Sequence, residues 1–104
     1  MIAKITDGNF EEMVIDSGAP FLLLFRSPGC VTCKKISPYL DMLSQSYPQI
    51  RFGRLDISTN AVIPSEYGIL SIPSLVVFSD GKELARLTGH LDESKLGKEA
   101  AKFS

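Results

Sequence analysis

The only two cysteines of the chain stand three positions apart in the segment Cys30-Val31-Thr32-Cys33. A disulfide that closes so short a loop is a weak structural staple, because the loop-entropy model assigns it about 2 kcal/mol, against roughly 4.7 kcal/mol for a hundred-residue loop. Cysteines at i and i+3 at the start of a helix can face each other. The helix N-terminus favours negative charge, so it should lower the pKa of the first thiol. The spacing therefore predicts a redox-active pair.

The same two thiols could instead bind metal. A structural zinc site within one chain requires four nitrogen or sulfur ligands, and His90, the only histidine, raises the candidates to three. Two chains could pool four cysteines around zinc or a 2Fe–2S cluster. The residues therefore predict no metal site within one chain and leave the dimeric alternative open.

Length and composition are those of an ordinary small globular protein. The chain has 104 residues, of which 44% are hydrophobic and 22% are charged, enough to build one core without metal or several disulfides. A formal net charge of −1 gives no reason to expect nucleic acid or an anionic membrane as a partner. The longest apolar stretch, residues 19–25, is too short to span a bilayer. We predict a single domain over residues 1–104.

The beginning of the chain bears on its location. No long apolar region follows Lys4, so the first residues lack the pattern of a signal peptide. We therefore predict a cytoplasmic protein. Thiols are kept reduced in that compartment, where a cysteine pair is more often catalytic or metal-binding than structural.

Alternating strand and helix patterns predict the elements that position the pair. The apolar run before the cysteines is typical of a strand covered on both faces, and the 3.6-residue periodicity after them predicts a helix to about Ser46. Asp80-Gly81 predicts a hairpin turn. We expect a first helix capped by Asp7 or Asn9 and ending at residue 18, and a last helix capped by Asp92. The remaining expected elements are strands at 2–5, 21–26, 50–57, 75–78 and 83–88 and a short helix at 60–67.

This order predicts an α/β fold built on one central mixed sheet. The βαβ units imply parallel strands with right-handed crossovers, and the final hairpin adds an antiparallel edge. Helices should cover both faces of the sheet.

With these features the chain resembles the thioredoxin family over almost its whole length. Further markers are Ile72-Pro73, forty residues after the cysteines, and the hairpin that follows. A lone CxxC is a weak signal, but a CxxC inside a βαβ pattern is a strong one. The resemblance implies the thioredoxin fold and a thiol–disulfide oxidoreductase acting on disulfide-containing proteins. It also implies an external electron donor like thioredoxin reductase and no bound cofactor.

The resemblance implies a role for each residue of the site. Cys30 would be the attacking thiol and Cys33 the resolving one. Pro73 would be a cis-proline facing the disulfide, with Ile72 offering backbone hydrogen bonds to an extended substrate. The substrate contacts would be Gly29, Val31, Thr32, Ile72 and Pro73.

Several positions depart from the family pattern. Val31-Thr32 stands between the cysteines where the family usually has Gly-Pro, and Gly29 stands where Trp usually precedes the first cysteine. Leu24 aligns with the buried acid that accepts a proton from the resolving thiol in many thioredoxins, so the Cys33 proton must go to water or another group. These changes leave room for a second function class, a non-catalytic protein-binding module, although retention of both cysteines argues against it.

Two charged side chains near the pair need separate interpretation. Arg26 replaces a second common aromatic of the family just before the active loop, and a cation there would favour the Cys30 thiolate. We therefore predict that Arg26 tunes the Cys30 pKa. His90 is predicted to be a solvent-facing loop residue rather than a general base, because its spacing gives no link to the thiols.

Overall fold

A computed structural model describes residues 2–103 of the chain. Strands and helices alternate in the predicted order, beginning with a short helical segment of the wide π type after the first strand. The strands are β1 (Ile2–Ile5), β2 (Phe21–Arg26), β3 (Arg51–Asp56), β4 (Ser74–Ser79) and β5 (Lys82–Leu87). The helices are the π turn (Glu11–Ile15), α1 (Val31–Ser46), α2 (Val62–Glu66) and α3 (Glu93–Ala101).

The five strands form one mixed sheet in the order β1-β3-β2-β4-β5. β3 pairs in parallel with β1 and with β2, while β4 pairs antiparallel with both β2 and β5. The mixed sheet is the predicted one, but its antiparallel part is larger than the terminal hairpin. The connection through α2 therefore reverses the chain direction instead of making a third parallel crossover.

The central strand β2 is buried on both faces, as its continuous apolar run predicts. Its alternate side chains enter two separate cores, because successive residues of a strand point to opposite faces. Leu22 and Leu24 pack in the core beneath α1 and α3. Phe21, Leu23 and Phe25 pack in the core that includes residues of the π turn and α2. This packing fixes the strand that leads directly into the cysteine loop.

The first helix is shorter than predicted, and neither Asp7 nor Asn9 caps it as expected. The π turn spans only Glu11–Ile15, and Asn9 exchanges hydrogen bonds with Thr6 at 2.7 and 3.2 Å. The Asp7 carboxylate instead accepts hydrogen bonds from the backbone N–H groups of Val62 and Ile63, at 3.1 and 2.9 Å. Asp7 thus caps α2, a helix more than fifty residues away, which local sequence patterns do not reveal.

Three local predictions are confirmed. Asp80 and Gly81 have φ values of 52° and 76°, the positive angles that a tight hairpin turn of type I′ requires. Asp92 caps α3 by accepting a hydrogen bond from the Lys95 N–H at 2.9 Å. The short helix predicted at 60–67 is found at Val62–Glu66.

Candidate active site

The cysteine pair lies at the N-terminus of α1. Cys30 is the capping residue, with an extended backbone, and the helix begins at Val31. Cys30 and Cys33 form a disulfide, with their Cα atoms 5.2 Å apart. The backbone N–H of Cys33 donates a hydrogen bond to Cys30 Sγ over 3.1 Å. The first cysteine sulfur therefore occupies the place that a capping side-chain oxygen takes at other helices.

The two sulfur-bearing side chains differ in access. Cys33 is 1% exposed, while Cys30 is half-buried and has the exposed residues Gly29 and Val31 on either side. An incoming disulfide can therefore approach Cys30 but not Cys33.

The loop before β4 lies at the same end of the sheet as the cysteine loop. Phe25 pairs with Ser74 in the antiparallel β2–β4 ladder, so the residues before Ser74 continue past the end of β2 from which the chain runs to Cys30. The Ile72–Pro73 peptide bond is cis, as the family resemblance implies. The Ser74 hydroxyl donates a hydrogen bond to the Ser71 carbonyl at 2.6 Å, bridging the cis bond within the loop.

Arg26 pairs with an acid on the neighbouring strand. Its Nη1 lies 3.8 Å from Asp56 Oδ2, and the two side chains are only 26% and 20% exposed. Hydrogen bonds from the Ser58 hydroxyl and backbone N–H hold the pKa of Asp56 below its usual value, and the positive charges of Arg26 and Lys4 act in the same direction. The carboxylate partly neutralises the cation that sequence reasoning assigned to Cys30.

Leu24, at the position of the family's buried acid, lies beside a cation. It is fully buried and pairs in register with Arg54 on β3. Arg54 Nη2 donates hydrogen bonds to the Ser37 carbonyl at 3.1 Å and to Asp41 Oδ2 at 3.0 Å, both on α1. Arg54 Nε is buried and finds no acceptor within residues 2–103. Beside Leu24, the core beneath α1 is thus apolar and is bordered by the Arg54–Asp41 ion pair.

A cavity of about 360 Å³ opens next to Thr32, between α1 and the loop before α3. Thr32, Lys35 and Ile36 line one side, and residues 90–93 line the other. His90 is 77% exposed and lies 3.6 Å from Asp92 Oδ2, so it faces solvent as predicted. Sequence reasoning missed that this loop borders Thr32, because only the fold joins segments so far apart.

Among residues 2–103, no three His, Cys, Asp or Glu side chains come together in a group that could hold a metal ion. Over the same residues, no helix combines the length and the apolar character needed to cross a bilayer.

The mixed five-stranded sheet, with a CxxC disulfide at the start of α1 and a cis-proline loop at the same end of the sheet, defines the thioredoxin fold with a redox site. The thioredoxin family model matches residues 1–102. The chain is 33% identical over 95 residues to thioredoxin 1 of Synechococcus elongatus, covering 90% of this chain and 89% of that protein. It is 34% identical over 96 residues to the thioredoxin of Pseudomonas aeruginosa, covering 91% and 89% respectively.

A third relative covers nearly the whole chain. The thioredoxin of Pyropia yezoensis is 31% identical over 103 residues, which are 98% of this chain and 96% of that protein.

The chain belongs to the thioredoxin family. It is a thiol–disulfide oxidoreductase that reduces protein disulfides and draws its electrons from a reductase.

Proposed function

We propose that Cys30 is the nucleophile and Cys33 the resolving thiol of this reductase. The Cys30 thiolate attacks one sulfur of a substrate disulfide, and the other substrate sulfur leaves as a thiolate. The Cys33 thiolate then attacks Cys30 Sγ in the mixed disulfide and releases the second substrate sulfur. Two electrons pass to the substrate, and the Cys30–Cys33 disulfide remains.

The observation that carries this assignment is the hydrogen bond from the Cys33 N–H to Cys30 Sγ. A donor at the helix N-terminus stabilises negative charge on the first sulfur and supplies none of that stabilisation to the second. The difference in exposure acts in the same direction, because only Cys30 can be reached from solvent. Each cysteine is thereby suited to a different step.

Substrate contacts belong to the surface around Cys30. Gly29, Val31 and Thr32 are exposed beside the attacking sulfur, and half-buried Ile72 with Pro73 lies at the same end of the sheet. Ile72 offers its backbone to an extended substrate segment, while Pro73 has no N–H to donate. Arg26 contributes by favouring the Cys30 thiolate, an effect that Asp56 reduces.

The proposed setting follows from the direction of electron flow. A pair that reduces protein disulfides must be re-reduced, so we assign the chain a donor like thioredoxin reductase and a reducing compartment, the cytoplasm. Residues 1–104 act as one domain and need no bound cofactor. A net charge of −1 offers no attraction to nucleic acid or to an anionic membrane.

Single-cysteine variants test the assignment. With a disulfide-containing protein as substrate, Cys30→Ser should abolish turnover, and Cys33→Ser should accumulate a mixed disulfide visible by non-reducing electrophoresis and mass spectrometry. A Cys33→Ser variant that turns over at the wild-type rate would refute the two-thiol mechanism.

The same proteins separate the two alternatives. A protein-binding module would retain partner binding in the double-serine variant and would show no turnover in the wild type. A metal or cluster site shared between two chains would give bound metal, colour and a dimeric mass in the purified wild type.

A further inference from the structure

Leu70 is the most exposed large apolar side chain in the described part of the chain. It is 97% exposed, compared with 66% for Val31, 62% for Met42 and 59% for Leu84. Its neighbours Ile69 and Ile72 are only partly exposed, and both pack against a core cluster. Leu70 is therefore the one aliphatic residue of its loop that the core excludes.

The loop holds Leu70 in this exposed position. On one side, the Ile69 N–H donates to the Pro64 carbonyl at 2.8 Å. On the other side, the Ser74 hydroxyl is bonded to the Ser71 carbonyl at 2.6 Å. The residues before and after Leu70 are thus anchored, and its exposure does not result from a loose loop.

The position of this loop relates Leu70 to the redox pair. Ser74 lies opposite Phe25, so the chain before Ser74 extends beyond the end of β2 that leads to Cys30. Leu70 is four residues before Ser74, a distance of at most about 14 Å along the chain. Val31, the second most exposed large apolar residue of those that the structure describes, directly follows Cys30. Leu70 and Val31 are thus exposed apolar residues that belong to two loops at the same end of the sheet. Single exposed apolar residues are ordinary, whereas a group of them indicates a contact surface.

Charge does not offer an equivalent means of recognition here. Lys34 and Lys35 are exposed on α1, and Glu93 is exposed on the opposite side of the neighbouring cavity. Because the two signs are mixed, the site presents no single-sign field that would attract a partner of opposite charge.

The space beside Gly29 is open, since a Cβ placed there would meet nothing within 4 Å. A bulky partner side chain therefore has room beside Cys30.

We propose that Leu70, together with Val31, selects substrates that carry a large apolar side chain next to the attacked cysteine. The partner is a disulfide-containing protein or peptide, and the inference rests on the proposed function. A matching side chain would cover Leu70 during formation of the mixed disulfide. Burial of roughly 50 Å² of additional apolar surface corresponds to about a tenfold preference.

The test uses two disulfide-linked peptide homodimers that differ only in having Leu or Ser beside the cysteine. In a homodimer both sulfurs are equivalent, so the attacked cysteine always has the same neighbour. Rates of peptide-thiol release are measured with the reduced wild type and with the Leu70→Ser, Leu70→Met and Leu84→Ser variants. Leu84→Ser is the matched control, because Leu84 is an exposed leucine on β5.

The wild type, Leu70→Met and Leu84→Ser should reduce the Leu homodimer about tenfold faster than the Ser homodimer, and Leu70→Ser should reduce the two at rates within about twofold. The urea unfolding midpoint of Leu70→Ser should match that of the wild type, because the side chain is exposed. A wild type without preference, or a Leu70→Ser variant that keeps it, overturns the inference. Reduction of hydroxyethyl disulfide distinguishes failure of this inference from failure of the proposed function. If the wild type reduces hydroxyethyl disulfide but shows no preference between the peptides, only this inference fails. If the wild type reduces no disulfide, the proposed function fails as well.

Discussion

Cys30 Sγ accepts a hydrogen bond from the backbone N–H of Cys33, with 3.1 Å between the two atoms. The bond joins the two members of the redox pair and uses one of the four N–H groups that a helix leaves unpaired at its start. Because an N–H donor and the helix dipole both favour negative charge, they stabilise the thiolate of the first cysteine in the reduced form. The same geometry leaves Cys33 buried until the mixed disulfide has formed.

Arg26→Ala should raise the pKa of the Cys30 thiol, because it removes a cation from the end of the strand that leads into the cysteine loop. The rate of Cys30 alkylation at neutral pH should fall a few-fold. Titration of the ultraviolet thiolate absorbance of the reduced protein measures the pKa directly. Arg51→Ala is the control, since Arg51 lies at the start of β3 and at the other end of the sheet. An unchanged Cys30 pKa in Arg26→Ala would remove Arg26 from the mechanism.

Leu24→Asp should be tolerated better than Leu22→Asp, although both leucines are fully buried in the same core. Leu24 pairs in register with Arg54, whose buried Nε lacks an acceptor among residues 2–103, while Leu22 pairs with Phe52. An acceptor for a buried donor is worth about 1–3 kcal/mol, so urea unfolding should separate the two variants by at least that amount.

The acid at position 24 should also speed the second chemical step. By the family resemblance, an acid at this position accepts the proton of the resolving thiol, and such general base catalysis typically accelerates a step by about a hundredfold or more. Rapid mixing of the reduced variant with a disulfide substrate measures how fast the mixed disulfide is resolved. An unaltered resolution rate in Leu24→Asp would show that the Cys33 proton already leaves by an efficient route. In the stability comparison, equal destabilisation by Leu24→Asp and Leu22→Asp would show that Arg54 does not reach the acid.

Asp56→Asn should reduce stability at neutral pH but not in acid. Hydrogen bonds from Ser58, with the charge of Arg26, lower the pKa of Asp56 in the folded chain. A carboxyl with a lowered folded-state pKa contributes stability above its unfolded pKa of about 3.9, and this stability is lost as the pH falls through the folded-state value. Urea unfolding of wild type and variant over a pH series should therefore converge in acid. A difference that stays constant across the series would contradict this assignment.

Gly53→Ala should destabilise the protein by about 1–3 kcal/mol, the usual cost of overpacking a core. A Cβ at this position would lie 2.8 Å from Ile5 Cγ1 and 2.9 Å from the Phe21 ring, both in a buried core. Gly29→Ala is the matched control, because a Cβ there meets nothing within 4 Å. Thermal or urea unfolding of the oxidised proteins provides the comparison. Equal stability of the two variants would mean that Phe21 can move aside at no cost.

Features set by neighbouring residues could be predicted from the sequence. The hairpin turn at Asp80-Gly81 and the cap at Asp92 depend on side chains and backbone angles within a few positions. The location of the cysteine pair at a helix start is likewise a local property, and the strand before it is marked by its continuous apolar run.

Features made by distant segments could not be predicted in the same way. Asp7 looks like a cap for the helix that follows it, but its carboxylate binds the start of α2. The proximity of the loop at 90–93 to Thr32, and of Arg54 to Leu24, likewise arises only when the sheet forms. Each of these contacts is specified by tertiary packing, which has no short-range signature.

The equilibrium reduction potential of the Cys30/Cys33 pair tests the reductase mechanism most directly. The protein is equilibrated in dithiothreitol or glutathione buffers of defined potential, and the fraction of intramolecular disulfide is measured by thiol labelling and mass spectrometry. We expect a reversible two-electron couple near about −270 mV, the value typical of a thioredoxin. A potential near about −120 mV would instead describe a disulfide donor, and failure to form the intramolecular disulfide at any potential would contradict the mechanism outright.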